Sequence, residues 1–118
     1  MDTDVYAKHL ENVKFIRKHL DKTARALSVA EECCELGQVA AKLPRACGAT
    51  FNPTPVREFQ IEPMMKEEIT DLLNALWVLG YDPMTVAYLV MSGENTKLQR
   101  WADRIEAELE KKHETKNP

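Results

Sequence analysis

The sequence predicts an all-α protein, an antiparallel bundle of four to five helices. Three observations predict it. Apolar residues recur at i, i+3, i+4 and i+7 almost from end to end. Asp, Thr or Pro stands just ahead of most of these runs, and Pro or Gly closes two of them, which are helix start and stop signals. No stretch alternates apolar with polar residues as a half-buried strand does, and there is no repeat or low-complexity tract.

The first helix follows Asp2, Thr3 and Asp4 and carries Val5, Tyr6, Leu10, Val13, Ile16 and Leu20. A second, capped by Asp21 or Thr23, runs through Leu27, Ala30, Leu36, Val39 and Ala40 to Leu43, where Pro44 stops it. Residues 44–62 hold Pro44, Pro53 and Pro55 with Gly48, Asn52 and Thr54 and read as a long irregular connection. Loops of that length within a compact domain are usually functional or mobile. Pro63 opens a third helix, which continues through Met64, Ile69, Leu72, Leu76 and Leu79 to Gly80. Asp82-Pro83 opens the next in the same way. It passes Val86, Leu89 and Val90, with a bend expected at Ser92-Gly93, and goes on through Leu98, Trp101, Ile105 and Leu109. The tail, residues 113–118, is expected to fray.

Composition narrows the function classes. The chain has 118 residues, enough for one core and not for two, so residues 1–118 read as a single domain. With 44% hydrophobic and 30% charged residues it is too apolar for disorder. A net charge of −3 gives no footprint for a nucleic-acid polymer. No apolar run reaches the length of a membrane span, and MDTDVYAKHL has neither the basic nor the apolar part of a signal peptide. The three cysteines, two of them sequence neighbours, form no disulfide framework. These features together predict reduced thiols in a cytoplasmic protein with no membrane partner.

The chemistry-bearing residues lie on the second and third helices. At about 100° per residue, Glu31, Glu32 and Glu35 of "EECCEL" share an arc of roughly 100°. Cys33 and Cys34 point to either side of it and read as packing residues, as no CxxC or Cys/His spacing supports zinc. "KEEITDLLNAL" repeats the device with Glu67, Glu68 and Asp71, and Asn74 follows one turn on. Each cluster alone has the composition of a solvated helix face. Both, however, border strongly apolar positions, so antiparallel packing would bring Glu32 and Glu35 close to Glu68 and Asp71. Four carboxylates held together have raised pKa values unless a cation neutralises them. Oxygen ligands without histidine favour Mg²⁺, with Mn²⁺ as a substitute, over zinc or copper. A di-iron bundle needs Glu-x-x-His on each of two helices. Here the motif occurs once, at Glu110 and His113 in the charged terminus.

A basic element follows. In "ENTKLQRWADR", Lys97, Arg100 and Arg104 share one helical face beside the apolar Leu98, Trp101 and Ile105. The stripe is either a solvated surface or a phosphate contact. Mg²⁺ typically bridges carboxylates to substrate phosphates, and Lys or Arg neutralises the oxygens left over.

With these three elements in order, Glu31-Glu32-x-x-Glu35, Glu68-x-x-Asp71 and Asn95-x-Lys97-x-x-Arg100, the chain resembles the MazG-like all-α nucleoside triphosphate pyrophosphohydrolases over residues 25–104. The resemblance implies an α-helical homodimer or homotetramer that hydrolyses (d)NTPs between the α and β phosphates, giving a nucleoside monophosphate and pyrophosphate. It implies that Glu32, Glu35, Glu68 and Asp71 hold Mg²⁺, that Glu31 or Glu35 orients or deprotonates the attacking water, and that Lys97 and Arg100, with Asn95, grip phosphate. Asn74 stands where many relatives carry an apolar residue and would contact a base or be a buried amide with a partner. Two alternatives remain at this point: an enzyme resembling phosphoribosyl-ATP pyrophosphohydrolase, and a non-catalytic helical dimerisation protein. The long apolar stripes at 85–91 and 98–109 also point to a homo-oligomer.

Overall fold

The computed structural model describes residues 2–46 and 57–116. The chain order is α1 (Thr3–His19), α2 (Lys22–Ala40), α3 (Lys42–Ala46), α4 (Glu58–Leu79), α5 (Pro83–Met91) and α6 (Lys97–Lys116). No strand occurs among the described residues, so the all-α class holds. Two compact units divide the chain, residues 1–83 and 84–118. The first contains α1 to α4, and the second contains α6 and all of α5 beyond its first residue.

Local chemistry starts the helices of the first unit. Asp2 caps α1, its carboxylate accepting from the Asp4 N–H at 3.0 Å. Asp21 caps α2 through the Ala24 N–H at 2.8 Å, which resolves the choice between Asp21 and Thr23. Arg17, Lys18 and His19 crowd the last turn of α1, where positive charge suits the helix dipole. At the end of α4, Gly80 takes φ 136° while its N–H and that of Tyr81 bond the Leu76 carbonyl. Only glycine takes that backbone angle readily.

Four boundaries differ from the sequence expectation. Pro44 does not end a helix: α2 stops at Ala40, and Pro44 sits in the first turn of α3, where its missing N–H has no partner to lose. Nor does Pro63 open α4, which begins at Glu58. The Gln60 side chain reaches back to the Arg57 N–H at 3.1 Å and supports this earlier start. Starting there also places Ile61 in the core at 2% exposure, and that burial offsets the backbone bond the proline removes. The connection is therefore shorter than 44–62, and its Pro53 and Pro55 lie outside the described residues. Third, the helix after Pro83 does not bend at Ser92-Gly93 but ends at Met91, and α6 starts afresh at Lys97. Finally, the tail is helical as far as Lys116. A Lys111–Glu108 pair at 3.4 Å is one of the local contacts in its last turns.

Within the first unit, α4 is the central element. It packs along α2 and also touches α1 and α3. Among its described residues the buried apolar ones are Val13 of α1, Val39 of α2, and Ile61 and Ala75 of α4. Tyr6 stacks on Trp77 with ring centroids 5.9 Å apart, and His9 meets the same indole edge-on at 6.5 Å, which ties α1 to the end of α4. No helix among the described residues is long and apolar enough to cross a membrane.

Candidate metal centre

The register of α2 on α4 builds the site. Near the start of α2, Arg25 donates through Nη1 to the Val78 carbonyl late in α4, at 3.3 Å. Further along α2, Glu32 and Glu35 lie beside Glu68 and Asp71, earlier in α4, so the two helices run antiparallel. Seven residues, two helical turns, carry each side chain back to nearly the same face. From Arg25 that step along α2 reaches Glu32, and from Val78 the same step back along α4 reaches Asp71. One further turn on each helix brings in Glu35 and Glu68.

Glu32, Glu35, Glu68 and Asp71 accordingly converge, with one carboxylate oxygen from each within 4.8 Å of the others. This is the grouping that the two sequence motifs predict. Glu32 and Glu68 are half-buried and Glu35 is exposed. Among the described residues, no lysine or arginine is paired with any of the four; the ion pairs found are Lys66–Glu62 and Lys111–Glu108.

The electrostatic consequence falls on the two half-buried groups. Burial raises the Glu32 carboxyl above its ordinary 4.5, and the charges of Glu35 and Asp71 raise it further. Glu68 is raised in the same way, by burial first and then by Glu35 and Asp71, with Glu67 adding to it. Glu35 acts on both, and its influence on each favours the protonated form. One oxygen of each, Glu32 Oε2 and Glu68 Oε2, is shielded from solvent and has no hydrogen-bond partner.

These residues fit a hard divalent cation. The donor set is all oxygen, which suits Mg²⁺ or Mn²⁺. The two orphaned carboxylate oxygens are groups that a cation would satisfy.

The remaining sequence candidates are distributed as follows. Glu31 is exposed, next to Glu32 on α2, and Asn74 is exposed on α4, one turn beyond Asp71. Lys97 and Arg100 are exposed on α6, in the second unit. Asn95 is engaged at both ends of its amide. Its Nδ2 donates to the Val90 carbonyl at 2.9 Å, and its Oδ1 accepts from the Lys97 N–H at 3.2 Å. It therefore closes the α5–α6 turn and caps α6. Cys33 and Cys34 do not pack: both are free, exposed thiols. On this part of α2, Glu32, Leu36 and Val39 are the shielded side chains, and the cysteines lie between them on the exposed side. Cys47 lies outside the described residues.

Sequence reasoning missed Arg25. Its signal is the seven-residue step to Glu32, which places a cation on the carboxylate face. No protein-family model, curated protein or solved structure matches this chain.

Proposed function

We propose that this protein is a Mg²⁺-dependent nucleoside triphosphate pyrophosphohydrolase of the MazG-like kind, producing a nucleoside monophosphate and pyrophosphate. The observation that carries the reading is the convergence of four carboxylates from two helices, two of them with shielded, unpartnered oxygens. Surface decoration does not need half-buried, mutually repelling acids, and burying a charge without a partner is costly.

A bound Mg²⁺, with Mn²⁺ as a substitute, supplies positive charge that polarises phosphate oxygens and acidifies water. Glu32, Glu35, Glu68 and Asp71 are the residues that would hold it. Glu31 or Glu35 takes the proton from the attacking water as its oxygen bonds to the α phosphorus. The bond from the α phosphorus to the α–β bridging oxygen breaks, and pyrophosphate leaves. Lys97 and Arg100 are the exposed cations that the resemblance assigns to the charge of the leaving group. Asn95 serves this element by fixing the turn that opens α6.

The reading includes a cytoplasmic homodimer or homotetramer. Among the described residues four apolar residues are buried, while large apolar side chains such as Phe15, Leu27 and Phe59 of the first unit are exposed. That is a thin core for a chain of 118 residues and argues for burial between copies.

Pyrophosphate release from a panel of canonical and modified NTPs and dNTPs, with Mg²⁺ and with EDTA, tests the proposal. Metal-dependent formation of monophosphate and pyrophosphate is expected. Turnover of phosphoribosyl-ATP alone would move the protein to the histidine-pathway type of enzyme. No turnover, with no thermal shift on adding metal, would leave a helical interaction protein.

A further inference from the structure

Where α3 meets α4 there is a cavity of about 620 Å³, lined among the described residues by Leu43, Phe59, Ile61, Glu62 and Met65. Small-molecule sites are concave and mostly apolar, with volumes of roughly 300–1,000 Å³. Ile61 is buried, whereas Phe59 and Leu43 are exposed by 70 and 44%. The cavity therefore carries bare apolar and aromatic surface.

Its position ties it to the four acids. Ile61, Met65 and Glu68 recur at i, i+4 and i+7 on one face of α4. Met65 is three residues, about 4.5 Å of helix rise, from Glu68. Along α4 the order is thus the apolar cavity at residues 59–65, the carboxylates Glu68 and Asp71, and then Val78, where the Arg25 guanidinium is held. That guanidinium has five N–H groups. The Val78 carbonyl takes one of them, and no carboxylate pairs with Arg25 among the described residues. A nucleoside triphosphate has the same order: a flat ring system, a pentose, the α phosphate and the terminal phosphates. The reverse orientation would drive the terminal phosphates into an apolar cavity whose charged lining residue is Glu62.

The lining also bears on which base enters. Glu62 is its one polar residue, and that carboxylate is engaged by Lys66 at 3.0 Å. None of the five described lining side chains is a hydrogen-bond donor to a base edge. Ring area, rather than edge pattern, then decides affinity, and a purine offers more of it than a pyrimidine.

We infer that this cavity is the nucleobase subsite, with the ring stacked on Phe59 and packed against Leu43 and Met65, and that it favours purine nucleotides. The inference rests on the nucleotide-hydrolase reading and gives the substrate a direction, base toward Phe59 and terminal phosphate toward Arg25. Asn74, one turn beyond Asp71, falls on the phosphate side and does not line the cavity.

Isothermal titration of the full chain in excess Mg²⁺ tests it with three probes: α,β-methylene ATP, α,β-methylene UTP, and inorganic tripolyphosphate, which has the charge without a base. The ATP analogue is expected to bind at least about fivefold more tightly than tripolyphosphate, the lower end of what stacking a base on an aromatic ring contributes. The UTP analogue should fall between them. Phe59→Ala should weaken the ATP analogue by at least about fivefold. Its tripolyphosphate affinity and metal-induced Tm rise should match the wild type. Phe15→Ala removes an exposed ring of α1 that does not line the cavity and should change none of these values. Equal wild-type affinity for the ATP analogue and tripolyphosphate, or indifference to Phe59→Ala, would overturn the subsite and leave the hydrolase reading standing. A UTP analogue bound more tightly than the ATP analogue would overturn the purine preference. Binding of none of the three would overturn both readings together.

Discussion

The hydrogen bond from Arg25 to the Val78 carbonyl, at 3.3 Å, sits two helical turns from the point where Glu32 meets Asp71. It is a side-chain-to-backbone contact joining α2 and α4 in the register that gathers the four acids. Slippage by one residue would turn each carboxylate by about 100° away from its neighbours.

Arg25→Met retains much of the stem's packing and removes the donor. The variant should be less stable by about 1.5–3 kcal/mol, the range for a hydrogen bond that involves a charged group. Urea unfolding measures this, and an unchanged midpoint with an unchanged slope would show that the contact contributes nothing.

A cation that binds only the folded chain stabilises it by an amount that grows with the logarithm of its concentration, about 2.7 kcal/mol at a hundred times its dissociation constant. Millimolar Mg²⁺ or Mn²⁺ should raise Tm, and EDTA should reverse the rise. Glu32→Gln with Glu68→Gln should abolish the shift. A wild-type Tm that ignores both metals would count against a cation site.

The pH dependence has a definite sign. Glu32 and Glu68 have folded-state pKa values raised above 4.5, so the folded chain holds these protons more tightly than the unfolded one. The stabilising contribution is complete below 4.5 and is lost as pH rises through the raised values. In EDTA, stability attributable to these groups should fall from pH 4.5 upward, and saturating Mg²⁺ should flatten that limb. Comparison with Glu32→Gln isolates the effect from the other carboxylates. Identical pH profiles for the two proteins would refute it.

Glu35→Gln and Asp71→Asn should each lower pyrophosphate release by at least about 100-fold, the lower end of what a positioned proton acceptor contributes. The helical circular dichroism signal should be retained. Full turnover in both variants would sink the assignment of these carboxylates.

Gly80 offers a control outside the site. Alanine there must adopt φ near 136°, a strain of about 1–3 kcal/mol. The space is open enough, since the nearest atom to an added Cβ is Arg17 Nη1 at 3.6 Å. A loss of stability with the metal-induced Tm shift preserved is expected, and measurement of both quantities separates backbone strain from damage to the site.

Much of this architecture was legible from residue spacing. The i, i+3, i+4 pattern gave the helical class, and two carboxylate triplets beside apolar positions gave the pairing of α2 with α4. Proline was misleading for a physical reason. Its cost depends on whether the lost N–H had a partner, as at Pro44, and on what burial compensates, as Ile61 does for Pro63. Cys33 and Cys34 were read as packing because cysteine is usually buried, yet the shielded face of α2 is narrower than that reading assumed. Arg25 escaped notice because one arginine among apolar neighbours has no motif. Its role depends on a backbone carbonyl fifty-three positions away.

The clasp made by Asn95 makes both sides of the α5–α6 turn depend on one amide. An amide can donate to the Val90 carbonyl and accept from the Lys97 N–H together. Deamidation would replace the donor with a second acceptor, leaving oxygen against oxygen on the Val90 side while the cap on α6 survived. One end of the turn would open and the other hold. An Asn95→Asp variant should therefore show α5 loosened ahead of α6, and amide exchange at the two helices can follow it.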